Sequence, residues 1–597
     1  MGLFQNAVET YDAMNHLAGV LQAGKKATLA PVGHMTTKAK IEITIDGEGR
    51  FVRAQKVDNT VLFPATEASS GRSGTTVAPH MLCDKLEFIL PCCSNDAKES
   101  KKHEKYLKQL ENWAYSPFGH SKVMAILKYL RSGTIIEDLY FSDPTLVQRD
   151  EKGNLKNKDD FVCWRVFLID DGSRSAVWED KTLMKSYTEF YLAQKEKDPT
   201  GICMITGKEI ATTSQHLKGV VSVNGNAKLI SSNDTVNYTY RGRFADEKEA
   251  VSIGYEASQK AHNALKWIVA NDGVSLGGGR MMICWNPQGK SVPRPHSVLR
   301  KREKEEKISL SSYKAEMEKV IWGYKKDFSH SDKAVIAIFD AATTGRLSVA
   351  YYNELDASDF LERLRYWDET CCWYDNRWGV ETPSLFDLTA FAYGEVRNGQ
   401  MEADDRIKAQ QMQRLVSCRI DQQALPIDLM RRLEQKAANL QIYEKGLRNR
   451  LLFITCAAIR KYRWDHLKEE CNMALETDKK DRSYQYGRLL AVMEKIERDT
   501  YKSGEERETN AIRLQSVFVK RPAYAASLIM NQLKQAYYPQ HGPGTRNYYE
   551  KLIGEIMSVI SDCGEEQYNK PLQETYLLGY YLQKNALYTK KETLEEE

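Results

Sequence analysis

The 597-residue chain contains no run of about 18 apolar residues, so no transmembrane helix and no membrane partner are expected. Its first residues, MGLFQNAVETYDAMNHLAG, lack the basic start and unbroken apolar core of a secretory signal. Phe4, Val8, Tyr11 and Met14 fall at helical spacing there and predict an amphipathic first helix. The 12 cysteines include no Cys-x-x-Cys pair. The doublets Cys92-Cys93 and Cys371-Cys372 do not have metal-ligand spacing, so reduced thiols of a cytoplasmic protein are expected, with no metal. Neither charge sign is in real excess: Lys plus Arg number 85 against 81 Asp plus Glu. That excludes a histone-like polycation but leaves room for a local basic groove.

Catalytic signatures are missing as well. There is no GxxxxGK[ST], no HExxH and no His-Asp dipeptide. The glycine-rich SLGGGRMM is followed by a strand-like run, not by the helix a phosphate loop requires, and is expected to be a turn between a helix and a strand. Thr206-Gly207-Lys208 lacks the upstream glycine of a P-loop. Asp404-Asp405 opens a helical run and reads as a cap. His80 and His216 read as solvated loop histidines. The expectation is a protein that is not an enzyme and has no cofactor.

What the sequence does contain is an α+β pattern: a mixed, strand-rich N-terminal region followed by an all-helical C-terminal half ending in a helical bundle. At this length, two to four domains are expected. AKIEITIDGEGRFVRAQKV alternates at Ile41, Ile43 and Ile45, turns at Asp46-Gly47 and resumes at Phe51, a hairpin signal. Phe161 to Ile169, GRMMICWN, and KAVIAIFD with LSVAYYNEL predict further strands. The Pro-rich and then densely charged stretch from Asn286 to Leu310 reads as a linker before a solvated helix start. From Asp356 onward helical patterns succeed one another. Tyr486, Leu489, Met493 and Ile496 form one apolar stripe, and Tyr549, Leu552, Ile553, Ile556 and Ile560 another. Basic and small polar residues gather on predicted loops: SSGRSGTT around Arg72, the stretch carrying Lys208, His216, Lys218 and Lys228, and NYTYRGRF with Tyr238 and Tyr240 beside Arg241 and Arg243.

Four segments resemble a known family, the large subunit of the type I-C CRISPR surveillance complex, Cascade. They are SGTTVAPHMLCDKLEFIL, with Ser73, Gly74, Pro79, Leu82 and Asp84 in the family pattern; Cys203 to Asp234; Asp340 to Leu355; and Asp481 to Glu497, together with PLQETYLLGYYLQ. Many relatives carry Asn where this chain has His80. The resemblance implies a non-catalytic subunit that reads the protospacer-adjacent motif in duplex DNA, assists unwinding, stabilises the R-loop and helps recruit the helicase-nuclease. Implied partners are double-stranded target DNA and its displaced strand, the 5′ handle of the guide RNA, the other Cascade subunits (backbone, handle-binding and small subunit) and the helicase-nuclease. The alternatives are a structural scaffold without motif reading, or a nuclease with an unrecognised site. On this resemblance the candidate nucleic-acid contacts are Arg72, Ser73, Gly74, Thr75, His80 and Lys85 on the first loop, Lys208, Lys218 and Asn233 on the second, and Arg241 and Arg243 on the third. Expected domains are a motif-recognition and guide-handle-proximal region over 1–350, a helical connecting region over 351–472, and a bundle over 473–597 that resembles the Cascade small subunit.

In that family the small subunit can be translated from a start inside the large-subunit gene. Lys468-Glu469-Glu470, encodable as AAG-GAG-GAn, stands two codons before Met473 and just ahead of a charged, turn-prone segment, Glu476 to Ser483. That segment also fits an ordinary interdomain linker. If the internal start is used, Met473→Leu eliminates a separate 473–597 product on an immunoblot against a C-terminal tag. Persistence of that product, or its absence from the unaltered gene, contradicts the idea.

Overall fold

The structure, a computed structural model, describes residues 2–22, 24–72, 77–91, 97–151, 154–169, 174–223, 227–231, 244, 247–300, 307–341, 345–375 and 379–588. The chain divides into two compact units. One comprises Met1–Ser275, Gly279–Ser291 and Asp332–Glu354; the other comprises Leu276–Gly278, Val292–Ser331 and Leu355–Glu597. Among the described residues, no helix is long and apolar enough to cross a membrane.

The first unit is organised by two sheets. Strands β1 (His34–Asp46), β2 (Phe51–Pro64) and β3 (Val162–Phe167) form a sheet of order β2-β1-β3. β1 and β2 are antiparallel, as the alternation predicts, and β3 joins β1 in parallel, with Ile41 opposite Val162. The hairpin turns where Asp46 Oδ1 accepts the amides of Glu48 and Arg50. Ile41, Ile43 and Ile45 are buried, and so are Glu42 and Thr44 on the other face. β1 is therefore covered on both sides, and Glu42 survives burial by accepting from Arg165 and Gln55. Helices α1 (Leu3–Ala13), α2 (Ala97–Ala114), α3 (Ser121–Ser132), α4 (Lys181–Lys195) and α5 (Tyr255–Asp272) surround this core. The second sheet has order β4-β5-β6-β7: β4 (Val274–Gly277), β5 (Arg280–Trp285), β6 (Lys333–Asp340) and β7 (Ser348–Asp356). The SLGGG stretch is thus the turn of a strand hairpin and not of a helix–strand junction. The four-residue β4 is too short to leave a periodic trace.

The second unit is mainly helical: α6 (Leu310–Lys325), α7 (Ala357–Thr370), α8 (Leu385–Tyr393), α9 (Asp405–Ile420), α10 (Ile427–Ala437), α11 (Lys445–Tyr462), α12 (Arg482–Arg498), α13 (Pro522–Gln532), α14 (Pro543–Ser561) and α15 (Thr575–Tyr588). Two hairpins of three-residue strands, Trp373–Asp375 with Gly379–Glu381 and Glu395–Arg397 with Gln400–Glu402, interrupt the run and are not foreshadowed in the sequence. Asp404 caps α9 through the amide of Arg406, as its position predicts. The Pro-rich stretch is more than a linker. Buried Arg419 donates to the carbonyls of Pro295 and Ser297 and pairs with Asp368 at 2.6 Å, while Asp368 also accepts the amide of Leu299.

α12 carries the predicted apolar stripe, yet it is buried on its other faces too. Arg488 there donates to Gln583, Gln485 and the Thr477 carbonyl; Glu494 accepts from Tyr580 and Lys584. Its polar side chains are tolerated because each has a partner. α12 and α15 approach closely through a reciprocal glycine contact. A Cβ on Gly487 would collide with the carbonyl of Tyr576, and one on Gly579 with that of Tyr484. The bundle also shares partners with the preceding helices: Arg463 pairs with Glu574 at 2.6 Å, and Gln515 donates to the Ala437 carbonyl. Gly487→Ala or Gly579→Ala is therefore expected to cost about 1–3 kcal/mol as backbones are forced apart. Chemical denaturation of each variant measures this, and an unchanged midpoint contradicts the close approach.

Candidate nucleic-acid interface

β2 ends on buried Leu62, Phe63 and Pro64, and the chain leaves the sheet at Thr66. There Thr66 and Ser69 form a reciprocal capping box around a one-turn helix, Glu67–Ser70. Arg72 follows at the start of the Ser-Gly loop. Its guanidinium forks onto Asp84, Nη1 to Oδ2 at 2.8 Å and Nη2 to Oδ1 at 2.5 Å. It also donates to the Ala78 carbonyl at 3.1 Å and lies over the Phe88 ring, 4.5 Å from its centre. Asp84 is 0% exposed and takes two further donors, the amides of His80 at 2.7 Å and Lys85 at 2.8 Å. Burial pushes its carboxyl above the usual range, opposed by Arg72 and by those two amides. With a raised pKa the ionised group costs stability at neutral pH, so this pair serves position more than stability.

His80 is internal rather than solvated. It is 7% exposed, its Nδ1 lies 2.9 Å from Ser69 Oγ, and its ring meets Phe63 edge-on at 4.8 Å. Burial, followed by the charges of Arg72 and Lys85, holds its pKa well below the ordinary histidine value, so the ring is neutral. Its Oγ partner fixes it as a tie between the two ends of the loop stem. Lys85 sits at the start of the one-turn helix Leu86–Ile89, and its ammonium pairs with Asp159.

A second tie crosses 146 residues of sequence. Glu67 accepts from the Thr213 hydroxyl and pairs with Lys195. The Thr213 hydroxyl in turn accepts the Gln215 amide, so the stem of the first loop stands beside the segment that leads to His216 and Lys218. His216 is buried against α5, its Nδ1 2.9 Å from Ser258 Oγ. Lys218 is half-buried and is the cross-strand bridge partner of Lys228. Lys208 stands apart and exposed, on the turn of a small hairpin joining Thr200–Ile202 to Glu209–Ala211. Ser73, Gly74, Thr75, Asn233, Arg241 and Arg243 lie outside the described residues. Arg72, His80 and Lys85 are therefore brought together around Asp84, with Lys218 reached through Glu67 and Thr213. Asp84, Glu67 and Thr213 did not read as site residues, because nothing local marks a carboxylate whose partner is distant in sequence. Among the described residues, no group of three or more His, Cys, Asp or Glu is placed to hold a metal ion.

The sequence model of the family described as CRISPR-associated protein (Cas_Csd1) matches residues 8–588. The chain belongs to this family. No curated protein matches it. The match to the Csd1 family spans both compact units, so the loop stem and the helical half are parts of one family architecture.

If Arg72 acts by holding the stem, Arg72→Ala and Asp84→Ala weaken binding to motif-bearing duplex alike. Each costs about 3–5 kcal/mol of stability as its partner is left buried and unpaired, while the double change Arg72→Met with Asp84→Leu restores it. Anisotropy titrations and thermal melts measure both. Should Asp84→Ala, which frees the guanidinium, leave DNA binding intact while Arg72→Ala abolishes it, Arg72 touches DNA directly and the anchoring role fails.

Proposed function

We propose that this Csd1-family chain is the non-catalytic large subunit of a type I-C Cascade complex in the cytoplasm. In this reading it recognises the protospacer-adjacent motif in duplex DNA, assists unwinding, stabilises the R-loop and helps recruit the helicase-nuclease. It works beside the guide-RNA handle, the backbone, handle-binding and small subunits, and the displaced strand. The observation that carries the reading is the stem of the Ser-Gly loop. Its two ends are locked by Arg72–Asp84 and His80–Ser69 and tied to the Thr213–Lys218 segment. RNA-guided recognition delegates sequence to base pairing and leaves the protein to read a short motif and grip phosphates. A locked stem suits that task, because a motif reader must arrive at the groove without an ordering cost. In the same reading, residues 1–350 carry motif recognition, 351–472 connect, and 473–597 act as the small-subunit-like bundle.

Shortening the loop between Ser69 and Thr76 is expected to weaken binding of the assembled complex to motif-bearing duplex by tenfold or more, roughly the cost of one or two lost base contacts. A target opened in advance loses much less, because opening no longer depends on the motif. Gel-shift titrations on the two substrates compare them. Equal loss on both means that the loop is not the motif reader.

A further inference from the structure

Lys218, the single candidate contact in the Thr213–Lys218 segment, is one of three lysines that converge with no acid paired to them among the described residues. It sits directly across a two-strand bridge from Lys228. Like charges placed opposite one another on a strand pair repel, and such a pair persists where something else compensates. The third lysine comes from α5. Ser258, His262 and Lys266 recur every four residues and so share one face of that helix. This face is tied to the strand bridge, because Ser258 Oγ meets His216 Nδ1 at 2.9 Å and the His216 and His262 rings stack with centres 5.9 Å apart.

No hydrogen bond or ion pair joins any of the three ammonium groups to a described residue. That is unusual in a chain where buried cations elsewhere are paired, such as Arg419 with Asp368 or Lys122 with Asp180. The Nε2 atoms of His216 and His262 are likewise buried without a partner. Five basic side chains are thus gathered at this bridge and on the α5 face tied to it, and among the described residues no carboxylate pairs with the three lysines. The repulsion has visible consequences. Burial, then the Lys218 charge, lowers Lys266 to about 8, and Lys228 is lowered by the same two causes in the same order. Burial and neighbouring positive charge hold His216 at about 4 and His262 at about 3, so both rings are neutral at physiological pH.

The geometry points to a phosphodiester-binding cradle formed by Lys218, Lys228 and Lys266 over the neutral His216–His262 pair. A backbone phosphate supplies the missing negative charge, which relieves the repulsion and favours the protonated form of Lys266. The inference takes nucleic acid as the source of the phosphate from the proposed function and rests on it to that extent; motif reading by the Ser-Gly loop is not needed. Because a phosphate favours the charged lysine, affinity should fall as pH rises through about 8, well below the window of an ordinary lysine near 10.5.

The test uses the full chain with motif-free duplex DNA in one arm and single-stranded RNA of equal length in the other. Replacing all three lysines with Met is expected to weaken binding in at least one arm and to reduce the slope of log affinity against log salt by about 1 per lysine. Loss in the DNA arm assigns the phosphate to target DNA; loss in the RNA arm assigns it to the guide. Lys266→Arg should keep the affinity but remove the fall near pH 8. Differential acetylation of the unaltered chain, read by mass spectrometry, should show Lys266 protected by the nucleic acid, and this stands even if the triple variant fails to fold. Unchanged affinity and salt slope in both arms, or equal acetylation of Lys266 with and without nucleic acid, overturns the cradle. Loss of the lysine effect leaves the loop test untouched, and failure of the loop test leaves this one standing.

Discussion

A carboxylate with no exposed surface must be answered by donors, and the answer it receives sets the geometry around it. Asp84 is answered four times, twice by the Arg72 guanidinium and once each by the amides of His80 and Lys85. Because Arg72 lies before the Ser-Gly segment and the other two donors after it, satisfying Asp84 ties the two flanks of that segment together. His80 repeats the closure through Ser69, and its neutral state follows from burial beside two cations. The local order of this stem is thus a consequence of electrostatic satisfaction, not of regular secondary structure.

The same principle extends outward in unit one. Glu67 fastens the stem to Thr213, and Thr213 leads to a basic cluster whose lysines have no acidic partner among the described residues. One half of the region is therefore saturated with internal partners and rigid, and the other is short of them. A saturated platform beside an unsatisfied basic surface is what a protein needs when it must hold a polyanion in one orientation. In the other unit, buried charges are again answered by internal partners, as Arg488 and Glu494 show inside α12, and helix contact is limited by backbone approach at Gly487 and Gly579.

Elements with strong periodicity were legible in the sequence. Ile41, Ile43 and Ile45 marked β1, the stripe at Tyr486, Leu489, Met493 and Ile496 marked α12, and Asp404 marked a helix start. Elements of three or four residues were not, because β4 and the two small hairpins in the helical half are shorter than one period of any pattern. Of the candidate site, the residue types and their loops were legible but their pairing was not. Arg72 looks the same in sequence whether it awaits a phosphate or already holds a carboxylate 12 residues away. His80 reads as polar and exposed until Phe63 and Ser69 are placed around it. Lys266 is one of two lysines on a helix that reads largely as core, and only the fold sets it beside Lys218.

The central claim is that the stem locked around Asp84 presents the loop to target DNA. Hydrogen–deuterium exchange on the assembled complex addresses it most directly, by following the peptide that covers Ser69 to Asp84. With motif-bearing duplex, the account predicts added protection in this peptide that a duplex lacking the motif does not give. Identical exchange with the two duplexes would contradict it.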